Sequence, residues 1–401
     1  MKQWKPSYET LPQHYKYIAQ GALTNSKRLE CLVKGVYPGF ASRGKGALLY
    51  ADKGVFIDFI CGLGVNLLGY AEENITRAIM LAASQGYLFS LSSELEWKLG
   101  ERINQWAPFI EQIKILKSGS DGCASAVKIA RAFTGRKLIL TEGYHGHNDE
   151  FVSLTPPAYG CVQNENIRFL KDYKLDDSVA AVIIEPIITD FSPERLDWLR
   201  ELRKQCTLVG AQLIFDETIT AFRFRKGLFS VTSDIIPDLV VFGKALANGM
   251  PISIVGGKTN VMSCNQYFVS TTYAGEILTL SAAIEVLRQL ELKYDLNHLW
   301  LTGENFKKEF NSIDPSIVSL EGYNTRGVFK FKDDITKALF FQECCKAGIL
   351  VGPSWFWSFP LQEYSDQALL IFRDVVHKIT KGGACLEGEM PSSPFAAKLR
   401  S

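Results

Sequence analysis

Short apolar runs alternate with amphipathic stretches along the middle of the chain. Helical periodicity covers roughly residues 73–85, 93–106 and 122–134, and the clearest later helix is predicted at 193–206. The intervening β-rich runs are residues 137–140, 180–184, 212–215 and 239–242. Strands that alternate with helices indicate a parallel sheet covered on both faces, which is an α/β fold.

The two ends of the chain follow a different pattern. Residues 1–35 predict a helix and an irregular arm, and a hairpin is predicted from strands at 47–50 and 55–59. A long helix at 281–294 leads into a mixed region, and the Gly-, Pro- and Ser-rich tail 382–401 is expected to be surface-bound or loose. We therefore expect an N-terminal arm with part of a small domain (1–70), a large domain (71–285) and a C-terminal small domain (286–401).

Composition narrows the class of protein. The net charge of +1 gives no electrostatic footprint for nucleic acid or an acidic membrane. Apolar stretches such as residues 179–188 are too short to span a bilayer, and no signal-peptide pattern is present. The nine cysteines form no CxxC pair and are odd in number, which favours a reducing compartment. We expect a cytoplasmic protein that binds neither nucleic acid nor membrane.

The most informative chemistry lies between Leu213 and Met250. Asp216 ends one apolar run and Lys244 ends the next. A buried carboxylate near a buried lysine amine is what pyridoxal 5'-phosphate (PLP) chemistry requires: the amine holds the cofactor as a Schiff base, and the carboxylate keeps the pyridine nitrogen protonated. The pair makes PLP the leading hypothesis.

Residues 117–124 begin a helix with small residues. Their free N–H groups, together with the helix dipole, are suited to bind phosphate, although a plain Ser/Asp N-cap would look the same. The Walker P-loop and the dinucleotide GxGxxG pattern are both absent from the chain.

Two further groups lie near predicted strand ends. In residues 144–147, an aromatic followed by His-Gly-His, Tyr144 could lie on a flat cofactor ring; a surface turn or a metal pair are the alternatives. No third and fourth zinc ligands at suitable spacing accompany the two histidines, so no metal is expected. Glu185 follows a strand as Asp216 and Glu217 do, and one of these acids can be a purely structural acceptor.

These segments together resemble a known family. Residues 215–223 and 237–251 resemble the class III PLP-dependent aminotransferases, and residues 118–126 with 144–147 are most similar to the branch containing glutamate-1-semialdehyde 2,1-aminomutase. The similarity extends over most of the chain. It implies PLP-dependent transferase fold type I: a large domain with a mostly parallel seven-stranded sheet flanked by helices, plus a smaller α+β domain from the N- and C-terminal segments.

The resemblance also implies residue roles. Lys244 matches the Schiff-base lysine and proton carrier, Asp216 the partner of the pyridine nitrogen, and Tyr144 the aromatic stacked on the ring. Thr272 matches a threonine that reaches the phosphate of a neighbouring subunit, which implies a homodimer. The expected cofactor-binding set is Ser118, Gly119, Ser120, Tyr144, His145, Glu185, Asp190, Asp216, Thr218, Lys244 and Thr272. The expected substrate-binding set is Arg28, Glu185, Trp355 and Trp357.

The chain departs from the aminomutase branch at several pocket positions. Thr189-Asp190 replaces the usual Gly-Asn, Leu63 replaces a tryptophan near the substrate, and Trp357 falls near a pocket glutamate. These changes favour an aminotransferase that moves an amino group between an amino donor and a keto or aldehyde acceptor. The alternatives are an intramolecular 2,1-aminomutase and a catalytically silent protein that has kept only the fold.

Overall fold

The computed structural model describes residues 8–154, 160–264 and 267–392. The chain divides into two compact units: a terminal unit, Met1–Glu72 with Leu301–Ser401, and a central unit, Glu73–Trp300. The sequence pattern placed the corresponding boundaries at 70 and 285. The later boundary lies beyond residue 285 because the long helix at Ile277–Leu292 packs against helices of the central unit.

The strands are numbered in chain order. They are β1 (Ala41–Lys45), β2 (Leu48–Ala51), β3 (Gly54–Asp58), β4 (Gln112–Leu116), β5 (Leu138–Glu142), β6 (Ile167–Phe169), β7 (Val179–Ile184), β8 (Gln212–Asp216), β9 (Leu239–Gly243), β10 (Ser253–Gly257), β11 (Val318–Tyr323), β12 (Arg326–Phe331), β13 (Ile349–Leu350) and β14 (Ser354–Phe356).

The α-helices are numbered in the same way. They are α1 (Leu11–Tyr17), α2 (Cys61–Gly64), α3 (Glu73–Ala83), α4 (Glu94–Trp106), α5 (Gly119–Thr134), α6 (Asp149–Val152), α7 (Pro193–Val209), α8 (Phe229–Ser233), α9 (Thr259–Met262), α10 (Ile277–Leu292), α11 (Leu296–Asn311), α12 (Asp334–Lys346) and α13 (Ser365–Thr380). Short 3₁₀ helices occupy Tyr8–Thr10, Ala19–Gly21, Asn25–Lys27, Leu29–Cys31, Leu170–Asp172, Lys244–Ala247 and Phe359–Tyr364.

A seven-stranded sheet forms the core of the central unit, in the order β4-β10-β9-β8-β7-β5-β6. Strands β9, β8, β7, β5 and β6 are parallel, whereas β10 runs antiparallel to both of its neighbours. All residues of β7, β8 and β9 are buried, as expected for strands covered on both faces. The predicted α/β fold of type I is confirmed.

Helix α5 connects the sheet to the site described below. Ser118 caps its first turn by accepting a hydrogen bond from the backbone N–H of Asp121. Apolar residues of α5, including Val127 and Ile129, are buried in one cluster with residues of the sheet such as Ile183 and Val241. This packing holds the beginning of α5 in a defined place beside the strand ends.

The terminal unit contains two smaller sheets, of order β1-β2-β3-β13 and β11-β12-β14. The predicted hairpin is confirmed as β2 and β3, which pair antiparallel across Asp52-Lys53. Part of the C-terminal tail is described, and it lies on the surface of this unit: the N–H groups of Glu389 and Ser392 donate to the carbonyls of Lys34 and Glu30. Residues 393–401 lie outside the described part of the chain.

Within the described residues, no helix is long and apolar enough to cross a membrane. The cytoplasmic location that the sequence favours stays a prediction.

Candidate active site

The parallel strands bring polar residues to one edge of the central sheet. Strands β9, β8, β7 and β5 are neighbours, so their carboxyl ends lie side by side, which is where ligands bind in open α/β sheets. A cavity of about 210 Å³ lies there. It is lined by Gly119, Ser120, Tyr144, His145, Gly146, Glu185, Asp216, Thr218, Ile219 and Lys244.

Asp216, the last residue of β8, is buried and accepts three hydrogen bonds. His145 Nδ1 lies 2.9 Å from Oδ2, the Cys123 thiol donates to the same oxygen over 3.3 Å, and the Thr218 N–H donates to Oδ1 over 3.0 Å. Burial alone would raise the pKa of Asp216, but the hydrogen bond and charge of His145 and the hydrogen bond from the Thr218 N–H outweigh it, so the pKa lies below its ordinary value. Asp216 is therefore a carboxylate.

His145 is buried and connects two strand ends. Its Nδ1 faces the Asp216 carboxylate, and its Nε2 lies 3.1 Å from the carbonyl oxygen of Glu142, the last residue of β5. A carboxylate and a carbonyl both accept hydrogen bonds, so an imidazole N–H has an acceptor on either side of the ring. His145 thereby links the Asp216 carboxylate to the end of β5.

Lys244 follows β9 directly and begins the 3₁₀ helix Lys244–Ala247. Its backbone is in the left-handed region, with φ of 42°. A lysine in this conformation is strained, and such strain concentrates at functional positions. The backbone turn directs the lysine into the cavity that Asp216 also lines.

The start of α5 forms another wall of the cavity, through Gly119 and Ser120. The loop after β5 lies directly against it: the N–H of His147 donates to Ser120 Oγ over 3.1 Å. Gly146 makes this approach possible, because its φ is +108° and an added Cβ would lie 2.6 Å from Ser120 Cα. Unpaired N–H groups in the first turn of a helix are suited to bind an anion.

Comparison with known proteins identifies the family of this site. The model of the aminotransferase class-III family matches residues 33–164 and 160–356. The chain belongs to the class-III aminotransferase family. Class-III aminotransferases are PLP-dependent enzymes, so this protein is an enzyme of that kind and PLP is its cofactor.

Individual relatives agree with the family. The chain is 29% identical to glutamate-1-semialdehyde 2,1-aminomutase of Methylacidiphilum infernorum (isolate V4), covering 88% of this chain and 90% of the relative. The PLP internal aldimine form of FumI from Sphingopyxis sp. MTA144 has a TM-score of 0.87 at 24% identity, covering 96% of this chain and 98% of FumI. An omega-transaminase of Sphaerobacter thermophilus has a TM-score of 0.81 at 20% identity, with coverages of 94% and 98%. These two structures show the fold.

The residues present fit the cofactor of this class-III family. The cavity offers an amine at Lys244 for an aldehyde carbon, a carboxylate at Asp216 for a ring nitrogen, and a helix start for a phosphate. Thr218 gives an independent indication: its Oγ1 is buried and has no hydrogen-bond partner among the described groups, although Thr218 lines the cavity. A buried hydroxyl is costly without a partner, and a phosphate oxygen would supply one.

Four other residues of the expected cofactor-binding set belong to the central unit; two of them line the cavity and two are exposed. Tyr144 lines the cavity with its side chain 46% exposed, and Glu185 lines it just after β7. Asp190 is exposed, and its carboxylate accepts a hydrogen bond from the N–H of Ser192 at the start of α7. Thr272 is also exposed, on a loop that ends at Glu276. The cofactor roles of these residues stay predictions.

The loop of Thr272 is linked to the segment that leads into α5. Glu276 caps α10 by accepting from the N–H of Leu278, and its carboxylate pairs with Lys117, the residue before Ser118, over 3.0 Å. The ion pair is partly shielded from water, with both side chains less than one-fifth exposed. The two loops are thereby linked.

The predicted substrate-binding residues of the terminal unit lie in two places. Trp355 and Trp357 are buried in an aromatic core, each stacked on Phe306, and Trp357 Nε1 donates to Thr302. Arg28 is half-buried, and its Nε has no hydrogen-bond partner among the described groups. The substrate-binding role of these three residues stays a prediction.

Leu63 lies in a separate cavity of about 280 Å³ within the terminal unit, with Phe40 and other mainly apolar side chains.

Two residues of the site were not singled out by sequence reasoning. Cys123 lies four residues after Gly119 on α5, so helical spacing places the two residues on the same face of the helix. That spacing could have predicted from the sequence that Cys123 lies near the site. Arg195 gives no such signal. From α7 it binds the Glu142 carboxylate with both terminal nitrogens and donates to the carbonyls of Pro186 and Glu185. It thereby fixes the ends of β5 and β7 together.

One acid at the strand ends is structural. Glu217 is fully buried and accepts hydrogen bonds from the N–H of Ser230 and the hydroxyl of Thr220.

The cluster of Cys123, His145 and Asp216 has its donor atoms within 4.8 Å of one another, a spacing that a metal ion could bridge. Its atoms already hydrogen-bond to one another, with Asp216 Oδ2 as the shared acceptor.

Proposed function

We propose that this class-III enzyme is an aminotransferase that moves an amino group from an amino donor to a separate keto or aldehyde acceptor. The observation that carries the proposal is the shared cavity of Lys244, Asp216 and the start of α5. It supplies an amine, a ring-nitrogen partner and an anion site together, which amino-group transfer with this cofactor needs.

When bound, PLP supplies an electron sink that makes the proton on the carbon beside the donor's amine removable. Lys244 Nζ is the base within the cavity that would take this proton in the donor's half-reaction and deliver a proton to the acceptor's carbon in the acceptor's half-reaction. Asp216, as a carboxylate, would orient and stabilise a protonated ring nitrogen. The start of α5 and the Thr218 hydroxyl would hold the phosphate end, which would keep the reacting end beside Lys244.

The terminal unit supports transfer between two molecules over transfer within one. The resemblance matches Trp357 to a pocket glutamate of the aminomutases, and Trp357 is a fully buried, stacked side chain with its only polar atom donating to Thr302. This position therefore provides no carboxylate. The aminomutase reaction remains the second candidate because the curated relatives carry that name at 28–34% identity.

The experiment that separates the two reactions supplies substrates singly and in pairs. Purified enzyme is incubated with a panel of amines and amino acids, with and without a keto acid or aldehyde. We expect an aminated product only when donor and acceptor are both present. Turnover of an amino aldehyde or a diamine without any acceptor would support the aminomutase instead.

We also propose that the enzyme is a homodimer. Within residues 80–97 of the central unit, five apolar side chains are each more than half exposed: Met80, Leu81, Tyr87, Leu91 and Trp97. An apolar surface of this kind is typical of an interface between subunits. Thr272 is exposed on the same unit and is available to a second copy.

Sedimentation of charge variants tests the dimer. Replacing Leu91 and Trp97 with glutamate is expected to give a monomer, whereas Leu208→Glu, at an equally exposed leucine on α7, is expected to sediment like the unmodified enzyme. A double variant that sediments unchanged would remove this surface from consideration.

A further inference from the structure

The Asp216 carboxylate is held unequally by its neighbours. Oδ2 accepts hydrogen bonds from His145 Nδ1 at 2.9 Å and from the Cys123 thiol at 3.3 Å, whereas Oδ1 accepts one bond, from the Thr218 N–H at 3.0 Å. Each carboxylate oxygen accepts about two hydrogen bonds. Oδ2 is therefore saturated by protein donors, and Oδ1 retains room for one more.

Cys123 is well placed to fix this asymmetry. It is 1% exposed on α5, the same helix whose first residues line the phosphate end of the cavity. His145 approaches Asp216 from the loop after β5, and Cys123 approaches it from the helix. Two donors on Oδ2 from two separate elements prevent the carboxylate from rotating about its bond to Cβ.

We propose that Cys123 is a positioning residue for the cofactor: its thiol, together with His145, holds Asp216 so that Oδ1 accepts the hydrogen bond from the ring nitrogen. The proposal deepens the function proposed above at the same site. It applies equally to an aminotransferase and an aminomutase, because it concerns the orientation of the cofactor and not the destination of the amino group.

The protonation state of Cys123 is consistent with this role. Burial raises the pKa of the thiol well above its ordinary value, and the charge of Asp216 raises it further. The sulfur therefore stays protonated and acts as a hydrogen-bond donor beside the carboxylate. An anionic sulfur would instead repel Asp216.

Serine and alanine at this position make a matched pair. The two side chains have almost the same volume, so Cys123→Ser and Cys123→Ala leave similar small voids next to Asp216. They differ in one respect, because serine keeps an O–H donor and alanine has none. A difference between the two variants therefore reports the hydrogen bond and not the packing.

The measurement follows the holoenzyme without turnover. Enzyme loaded with PLP labelled with nitrogen-15 on the ring gives a nitrogen chemical shift that reports how far the ring nitrogen is protonated, and dialysis with absorbance gives the cofactor dissociation constant. We expect Cys123→Ser to match the unmodified enzyme in both. Cys123→Ala should shift the ring-nitrogen signal towards the unprotonated value and raise the dissociation constant about fivefold.

The same two substitutions at another buried cysteine show whether the loss of any buried thiol has these effects. Cys206 is fully buried on α7, near Arg203 and Asp238. Cys206→Ser and Cys206→Ala are expected to leave the nitrogen shift unchanged. If Cys123→Ala does not fold, Cys123→Val, which fills the space without a donor, replaces it.

Equal nitrogen shifts and equal dissociation constants for the serine and donor-free variants of Cys123 would overturn the proposal. Amino transfer is measured separately on the same preparations. If the enzyme does not catalyse the proposed amino transfer, the nitrogen shift of the unmodified enzyme is still unchanged. A failure of the proposed reaction is therefore distinguishable from a failure of the role proposed for Cys123.

Discussion

His145 and Asp216 are buried in direct contact, with Nδ1 of the imidazole 2.9 Å from Oδ2 of the carboxylate. The pair joins the loop after β5 to the end of β8, two strands that are separated in the sheet by β7. The histidine lowers the pKa of the acid despite its burial, and the acid is the group that we propose as the partner of the ring nitrogen. The electrostatics of the site therefore depend on a residue that need not touch the reacting atoms.

Loss of His145 should make the site sensitive to mild acid. The pKa of Asp216 in the folded enzyme is held below its ordinary value of about 3.9. Its contribution to the stability of the unmodified enzyme is therefore complete above that unfolded-state value, and it is lost only as the pH falls through the lower folded-state pKa. His145→Ala leaves burial as the dominant cause, which raises the pKa of Asp216. We expect the cofactor absorption of the variant to change at a higher pH than that of the unmodified enzyme, which should stay flat over the same range.

His147→Ala is the matched control, because His147 lies two residues away and is exposed. A flat profile for both variants would mean that His145 does not control the charge of Asp216.

Replacement of Lys244 should remove both activity and colour. Without Nζ there is no amine to hold the cofactor's aldehyde carbon and no base beside the donor's carbon, so Lys244→Ala should lower turnover by about a thousandfold or more. The violet-blue absorption of lysine-bound cofactor should disappear with it. Lys226→Ala, at an exposed lysine of the same unit, should retain both. Normal turnover by Lys244→Ala would end the proposed mechanism.

Thr218→Val should affect the apoprotein and the holoenzyme in opposite directions. Valine has nearly the same shape and removes a buried hydroxyl that has no partner among the described groups, so the apoprotein should melt at the same or a higher temperature. Cofactor affinity should fall by about tenfold, because a hydrogen bond to a charged phosphate is lost. Calorimetry of the apoprotein and titration with PLP measure the two effects.

The neighbouring Thr220→Val should behave differently, because the Thr220 hydroxyl donates to the buried Glu217 carboxylate. It is expected to lower the melting temperature of the apoprotein. If Thr218→Val did the same, its hydroxyl would have a protein partner and not a phosphate partner.

Gly146→Ala should weaken cofactor binding through the contact with α5. An added Cβ would lie 2.6 Å from Ser120 Cα, and φ is +108°, so the loop after β5 must move away from the helix start. We expect a loss of about 2 kcal/mol in the free energy of unfolding and a lower cofactor affinity. Chemical denaturation and PLP titration measure these.

Gly135→Ala separates backbone strain from the steric clash. Gly135 also has a positive φ, of +68°, but nothing lies within 4 Å of an added Cβ. Its expected cost is about 1 kcal/mol of stability with no change in cofactor affinity. Similar affinities for the two alanine variants would show that the Gly146 contact does not shape the phosphate end.

The strands that were easiest to predict are the ones whose ends line the cavity. Residues 180–184, 212–215 and 239–242 are continuous apolar runs, and all three lie in central parallel strands. Strands β4, β6 and β10 of the same sheet were missed, since β4 mixes polar and apolar residues, β6 has only three residues and β10 ends in two glycines. Their pairing depends on the neighbouring strand and not on a local pattern.

The sequence by itself determined that an acid, a lysine and a capped helix start would follow successive apolar segments, because strand ends and N-caps are local features of the chain. The tertiary structure decided what surrounds them: the thiol of Cys123 and the imidazole of His145 meet on one oxygen of Asp216, and Arg195 joins the ends of β5 and β7. These contacts connect residues that are far apart along the chain. They depend on the order of strands in the sheet, which no local pattern of residues records.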